Sequence, residues 1–260
     1  MKFALLLAFT VAVAALTQDQ VVPAKVACGD EAPYDGFEIL GGKEAKRGEH
    51  RYVTGFKKSP DGDTVCGGSL IAPNVVLTAA HCLKGFLPYA VVGTHFLTGY
   101  KDGELATVIE EIKHPNPSVD VGIAILNRNI TNIEPVKLLF EKVPSGVYTW
   151  ARGWGQVRHY GPQSSVLMEV ILETWSNDKA SDAFGTTGKT VTDTMLAAGG
   201  VEGEDMCDND SGGPLTTEVS AGVRLVGVAS WGRGCGRHGK PGVYERVSAS
   251  RDFIEPYLPK

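Results

Sequence analysis

Beyond residue 39 the apolar positions fall in short runs rather than on helical stripes. Residues 75–78, 122–126, 147–151, 166–172 and 224–230 are β-branched or apolar and are bounded by Gly, Pro or Asn. Runs of this length between turn formers predict strands. Helical signals are sparse. The best covers 248–255, where a serine offers a cap and Pro256 a stop. No fixed-period repeat or low-complexity linker is present. The pattern predicts an antiparallel barrel-like or sandwich protein whose loops carry its function.

The N-terminal run is of another kind. Lys2 precedes an apolar stretch, 3–16, that ends in small residues around Ala12, Ala14 and Ala15. It falls short of the roughly 20 apolar residues that a membrane span needs, and no later run is long enough. Residues 1–16 are therefore expected to be an export signal, with the protein secreted to the extracellular space and not held in a membrane.

Composition adds little and excludes something. The 260 residues are 43% hydrophobic and 21% charged, ordinary globular values, and 32 Gly with 14 Pro fit many tight turns. Residues 1–38 hold Lys2 and Lys25 against Asp19, Asp30, Glu31, Asp35 and Glu38, which accounts for −3 of the net charge of −5 and leaves −2 for the remainder. A nearly neutral body gives no electrostatic case for nucleic acid or an anionic membrane. Five cysteines in an exported chain suggest disulfides with one left over. Cys66 and Cys82 lie 16 positions apart, Cys207 and Cys235 lie 28 apart, and Cys28 is the odd one. Loops of that size, closed by disulfides, would stabilise the fold by about 3 kcal/mol each. Spacing alone leaves the connectivity open. No Cys-x-x-Cys, His-rich or carboxylate cluster points to a metal, so no cofactor is expected.

Three segments supply what acyl transfer needs: Leu77-Thr78-Ala79-Ala80-His81-Cys82, Asp120-Val121-Gly122-Ile123-Ala124, and Cys207-Asp208-Asn209-Asp210-Ser211-Gly212-Gly213-Pro214-Leu215. A hydroxyl nucleophile needs a base, and imidazole titrates in the right range. A buried carboxylate must hold the imidazole tautomer and stabilise its charged form. Each residue alone has a bland reading, because a lone His is usually a surface or satisfied core group. An Asp ahead of a strand is more often a turn former, and a Ser-Gly-Gly-Pro run can be only a turn.

Together the segments resemble the chymotrypsin/trypsin family in order and local wording. The likeness runs from Ile39-Leu40-Gly41-Gly42 to the end of the chain. It takes in Cys66-Gly67-Gly68-Ser69-Leu70, Gly153-Trp154-Gly155, Ser230-Trp231-Gly232 and Lys240-Pro241-Gly242-Val243-Tyr244. The resemblance implies an all-β fold of two six-stranded antiparallel β-barrels with a C-terminal helix and the site between the barrels. It also implies a propeptide at 17–38, a monomeric protease domain at 39–260, and disulfides Cys66–Cys82 and Cys207–Cys235. His81 would be the base, Asp120 its orienter and Ser211 the nucleophile acting on a protein or peptide substrate. The backbone N–H groups of Asn209 and Ser211 would form the oxyanion hole. Ser230 would support Asp120, and residues 230–232 would pair with the substrate backbone. Asp205, six positions before Ser211, would lie at the base of a specificity pocket walled by Met206 and Trp231 and left open by Gly232 and Gly242. A buried carboxylate there favours a substrate Arg or Lys.

The chain departs from that family in four places. Glu38 stands before Ile39, where a basic residue is usual, although cleavage there should free the amine that pairs with Asp210 and orders the site. Asn209 replaces a Gly at an oxyanion donor, and Asn tolerates unusual backbone angles better than most residues. Met206 replaces a small residue, usually Ser, on the pocket wall, which favours Arg over Lys. Ala180 and Ala197 appear where a cysteine pair is often found, so the loop between them is expected to be more mobile. Asn129-Ile130-Thr131 fits an N-glycosylation acceptor. The chain also resembles the glucanase inhibitor proteins of oomycete plant pathogens, notably in residues 39–42 and in Val92-Gly93-Thr94-His95-Phe96. Those proteins keep the fold, have lost triad residues and bind a host glucanase. This chain keeps His81, Asp120, Ser211 and Asp205.

A pocket carboxylate at Asp205 should repel Glu38, so the protein is predicted not to process itself. N-terminal sequencing of the secreted form is expected to read from Ile39 only after another protease has acted. A mature form that starts elsewhere would remove the activation scheme.

Overall fold

Strand-forming runs of β-branched residues zip into two closed sheets, as described by a computed structural model for residues 41–157, 160–185 and 188–259. The signal, the propeptide, Cys28, Glu38 and Ile39 lie outside those residues. The first barrel is built from β2 (Val53–Lys57), β3 (Thr64–Ala72), β4 (Val75–Thr78), β5 (Tyr89–Val92), β6 (Glu104–Lys113) and β7 (Gly122–Leu126). Its strands close in the order β2-β3-β4-β7-β6-β5, all antiparallel. The second is built from β9 (Tyr148–Gly153), β10 (Met168–Trp175), β11 (Met195–Gly199), β12 (Pro214–Val219), β13 (Gly222–Trp231) and β14 (Pro241–Arg246). It runs β10-β11-β14-β13-β12-β9 and closes through β9–β10 pairing. Two short strands cross between the halves. β1 (Lys43–Glu44) pairs with β10, and β8 (Lys137–Leu138) pairs in parallel with β13. Each barrel is filled by inward-facing apolar side chains, as in Phe56, Leu70, Leu77 and Ile123 of the first and Met168, Leu172, Leu215 and Tyr244 of the second. Among the described residues no helix is long and apolar enough to cross a membrane.

The expected runs 75–78 and 122–126 coincide with β4 and β7, and 147–151, 166–172 and 224–230 overlap β9, β10 and β13. The expected helix at 248–255 is instead three short pieces: 3-10 turns at Val247–Ser250 and Glu255–Tyr257 flank α2 (Arg251–Ile254). Ser248 sits inside the first turn, and neither turn nor α2 has a side-chain cap. Pro256 lies at the start of the last turn, where its missing N–H costs nothing, so it does not stop the helical run. The helix α1 (Asn177–Phe184) was not expected. Its cue is Ser176, whose hydroxyl accepts from the Lys179 N–H at 3.3 Å. α1 buries Ala180 and Phe184 against Val191, Ala197 and Val243, so the two alanines that replace a cysteine pair share one apolar cluster. The disulfides Cys66–Cys82 and Cys207–Cys235 are both formed.

A buried ionic network ties the halves together. Arg152 of β9 donates to Glu169 Oε2 (3.0 Å), Thr216 Oγ1 (2.7 Å), Glu218 Oε1 (2.5 Å) and the Tyr52 hydroxyl (3.4 Å). Tyr52 and His50 come from the segment that leads into the first barrel, and His50 Nε2 lies 3.5 Å from Glu169. Burial alone would raise the Glu169 carboxyl, but His50 and Arg152 outweigh it and hold the group down at about 2. That depression stabilises the fold above the ordinary carboxylate range and is lost as pH falls through about 2. Arg152→Met strips the guanidinium from Glu169 and leaves Glu218 without its cation, and is expected to lower unfolding free energy by about 3 kcal/mol at neutral pH. Guanidinium denaturation checks this, and a change below about 1 kcal/mol would contradict the role given to the network.

Candidate active site

The pairing of β4 with β7 brings the first two groups together. Thr78 ends β4 opposite Gly122, so the 3-10 turn Ala80–Cys82 faces Asp120, two residues before β7. The His81 backbone N–H donates to Asp120 Oδ1 at 2.8 Å, and His81 Nδ1 lies 2.6 Å from Asp120 Oδ2. Ser230, near the end of β13 in the other barrel, donates to the same Oδ2 at 2.6 Å. Burial raises the Asp120 carboxyl, yet these hydrogen bonds and the nearby imidazole carry it below its ordinary value. An ionised Asp120 accepts at Nδ1, which makes Nδ1–H the donor and leaves Nε2 free to take a proton.

Ser211 stands beside this pair by way of its backbone. Its carbonyl accepts from the Gly67 N–H of β3 at 2.7 Å and is 3.5 Å from Cys82 Sγ, next in the chain to His81. Among the described residues the Ser211 hydroxyl makes no hydrogen bond, so this resting arrangement leaves the His81–Ser211 contact unmade. Asn209 adopts φ 74°, the left-handed conformation that favours glycine. The Asp210 N–H turns back to Cys207 O at 3.1 Å, whereas the N–H groups of Asn209 and Ser211 have no acceptor among the described residues. Two free donors two residues apart, beside a hydroxyl, are what a developing oxyanion needs.

The pocket beside Ser211 has a volume of about 160 Å³. Asp205, Met206, Ser230, Trp231, Gly232 and Gly242 all line it. Asp205 is 2% exposed; Oδ2 accepts from the Gly236 N–H at 3.1 Å, while Oδ1 has no partner among the described residues. Burial pushes its carboxyl up to about 7. A Cβ on Gly242 would stand 3.0 Å from Asp205 Oδ1 and 3.4 Å from both Met206 Cε and the Tyr244 ring. Tyr244, fully buried behind Gly242, was missed as a neighbour of the pocket. Its hydroxyl is buried without a partner, and burial raises it well above its ordinary value. The signal was its place two residues after Gly242, on the same face of β14.

Asp210 is 4% exposed and accepts from the Gly155 N–H at 2.7 Å and the Cys207 N–H at 2.9 Å. Side chains on Gly153 or Gly155 would collide with its carboxylate. Burial pushes it up to about 6. Its proposed partner Ile39 lies outside the described residues. Asn129 is exposed. The two groups of metal-ligand type, at Cys66, His81 and Cys82 and at Cys207, Asp208 and Cys235, each contain a disulfide whose sulfurs are not thiolates. A larger cleft of about 400 Å³, lined by Arg51, Asn132 and Arg224, shares no residue with the site.

A family model described as Trypsin matches residues 39–254. Among curated relatives, glucanase inhibitor protein 3 of Phytophthora infestans is 38% identical over 232 residues, 83% of this chain and 86% of that protein. The vitellin-degrading protease of Bombyx mori is 35% identical over 238 residues, 86% of each. A trypsin of Saccharopolyspora erythraea is 34% identical over 226 residues, 83% of this chain and 96% of that protein.

The raised Asp205 carboxyl makes cation binding pH-dependent. As pH rises from 6 to 8 its ionised fraction grows about ten-fold, so affinity for an amidinium ligand should rise by about that factor. Calorimetric titration is expected to show this rise, and Asp205→Asn should bind weakly without it. A flat profile for the unaltered protein would exclude Asp205 from the cation site.

Proposed function

The chain belongs to the trypsin family, and on that premise we propose that it is a secreted serine endopeptidase cleaving after Arg, and less readily after Lys. The observation that carries the reading is the hydrogen-bond chain from Ser230 through Asp120 to His81, with Ser211 held alongside by its bond to Gly67. In the reaction Ser211 Oγ bonds to the scissile carbonyl carbon as its proton passes to His81 Nε2. The oxyanion takes the free N–H groups of Asn209 and Ser211. When the C–N bond breaks, His81 returns its proton to the leaving amine. Water then repeats the sequence on the acyl-enzyme, with His81 again as base. Asp205 ionises against the substrate guanidinium, and Met206 supplies no hydroxyl that would solvate a Lys ammonium. Activation takes the pairing of the Ile39 amine with Asp210 after another protease cuts behind Glu38. Export by way of residues 1–16 and glycosylation at Asn129 belong to the same reading.

A second reading is favoured by the glucanase inhibitor proteins among the relatives: a secreted homologue that binds a glucanase and turns over little. The segment 92–96 that resembles them packs largely inside. His95 Nε2 meets Glu44 at 2.7 Å, its carbonyl accepts from Trp154 Nε1 at 3.1 Å, and Phe96 alone of the segment is exposed. A seam residue explains that wording without a partner.

Treatment of the mature protein with a serine-directed phosphonate, followed by mass spectrometry, is expected to place an adduct on Ser211 that His81→Ala abolishes. Asn209→Gly, which relieves the left-handed strain, should label a few-fold faster. Absence of labelling together with tight capture of a plant glucanase would replace the first reading with the second.

A further inference from the structure

Lys57 closes β2 from inside the fold. It is 0% exposed, and its Nζ donates to three backbone carbonyls: Leu97 at 2.7 Å, Gly99 at 2.9 Å and Gly62 at 3.0 Å. An ammonium has three N–H donors, so all of them are used. No carboxylate pairs with Nζ among the described residues; Asp61, Asp63 and Asp102 act on it only from beyond contact. The carbonyls come from two places. Gly62 lies in the turn between β2 and β3, and Leu97 and Gly99 lie in the loop between β5 and β6. That loop is a seam with the second barrel: the Leu97 N–H donates to the Ser165 carbonyl at 3.0 Å, and the His95 carbonyl accepts from the Leu167 N–H at 2.7 Å. Asp102 holds the loop from its other end, accepting from Thr94 Oγ1 at 2.7 Å and from the His95 N–H at 2.6 Å.

We propose that this cradle is a binding site for a singly charged cation, occupied in the chain by its own Lys57 ammonium, which orders the seam loop without a free ion. Buried carbonyl oxygens turned on one point replace the water around a cation, as carbonyl rings do for potassium. Charge and distance select the ion. Calcium takes about six to eight oxygens, carboxylates among them, at about 2.3–2.6 Å. Three neutral oxygens at 2.7 to 3.0 Å suit a larger ion of single charge, of the size of ammonium. Burial disfavours the charged form and lowers Lys57 to about 8, against the pull of Asp63, Asp102 and Asp61. Below that value the cradle holds a charge. A lysine that only filled space would leave nothing for an ion when truncated. The inference is independent of the proposed function and uses none of its catalytic residues.

Lys57→Ala vacates the cradle, and Lys57→Met keeps most of the bulk without the charge. Urea unfolding at about pH 6.5 compares ammonium chloride with tetramethylammonium chloride at equal concentration, and the unaltered protein reports the general effect of each salt. Relative to that reference, the midpoint of Lys57→Ala is expected to rise with ammonium, because an ion that binds only the folded state stabilises it. Tetramethylammonium has no N–H and is too large to enter, so it should give no rise. Lys57→Met should not distinguish the salts. Hydrogen exchange supplies a second readout: in Lys57→Met the Leu97 and Leu167 amides should exchange about ten-fold faster than in the unaltered protein. Midpoints of Lys57→Ala that coincide in the two salts would overturn the cation site, as would unchanged protection of both amides in Lys57→Met. If Lys57→Ala folds in neither salt, the amides decide alone.

Discussion

The site depends on one close approach between the two barrels. Gly67 of β3 donates to the Ser211 carbonyl at 2.7 Å, and the Gly67 carbonyl accepts from Thr78 Oγ1 at 2.7 Å. A Cβ on Gly67 would fall 2.7 Å from the Gly213 Cα, so any side chain there would push the loop of Ser211 away. His81 and Asp120 belong to the first barrel and Ser211 to the second. Nothing in either barrel alone fixes their separation. The backbone bond at Gly67 and the Cys66–Cys82 link set it, because β3, the His81 turn and the Ser211 carbonyl meet there. Ser230 repeats the logic from the other direction, since it reaches from β13 to the carboxylate of the first barrel.

A second constraint is electrostatic. Asp205, Asp210 and Glu245 are all buried, all raised well above the ordinary carboxylate value, and none has a cation among the described residues. Raised groups of this kind cost no stability below the ordinary carboxylate value and cost progressively more as pH climbs from there to about 6 for Asp210 and about 7 for Asp205. Their placement is not scattered. Asp205 lies in the pocket, Asp210 accepts from Gly155 and Cys207 just before Ser211, and Glu245 lies inside β14. The Arg152 network shows the opposite arrangement, where a cation saturates its acids and lowers Glu169. Among the described residues a cation thus offsets the charge that holds the halves together, whereas none reaches Asp205 in the pocket.

Much of this was legible in the residues. Short β-branched runs marked β4 and β7 to the residue and located β9, β10 and β13, because strand periodicity depends on local side-chain chemistry. The positions of His81, Asp120 and Ser211 came from local wording shared with a family, which carries the barrel order that no run of residues states. What stayed hidden depends on tertiary pairing. Glu245 and Tyr244 read as ordinary strand residues until β14 is placed between β11 and β13. Arg152 gave no sign of its partners, 17 and 66 positions away. α1 escaped because its sequence is mostly polar and its apolar contacts are only Ala180 and Phe184. At the C-terminus the expected helix is present as α2 between two 3-10 turns, without the expected cap or stop.

The choice between a hydrolase and a binding protein turns on what such a site costs to keep. A homologue that needed only its surface would fold more stably with a neutral residue in place of Asp205, since a buried carboxyl without a cation disfavours the native state. The strain at Asn209 points the same way: the backbone holds φ 74° on a residue with a side chain, and the result is two free amide donors beside a hydroxyl. Asp205 and Ser211 line one pocket, and Asn209 holds its unusual backbone two residues before Ser211.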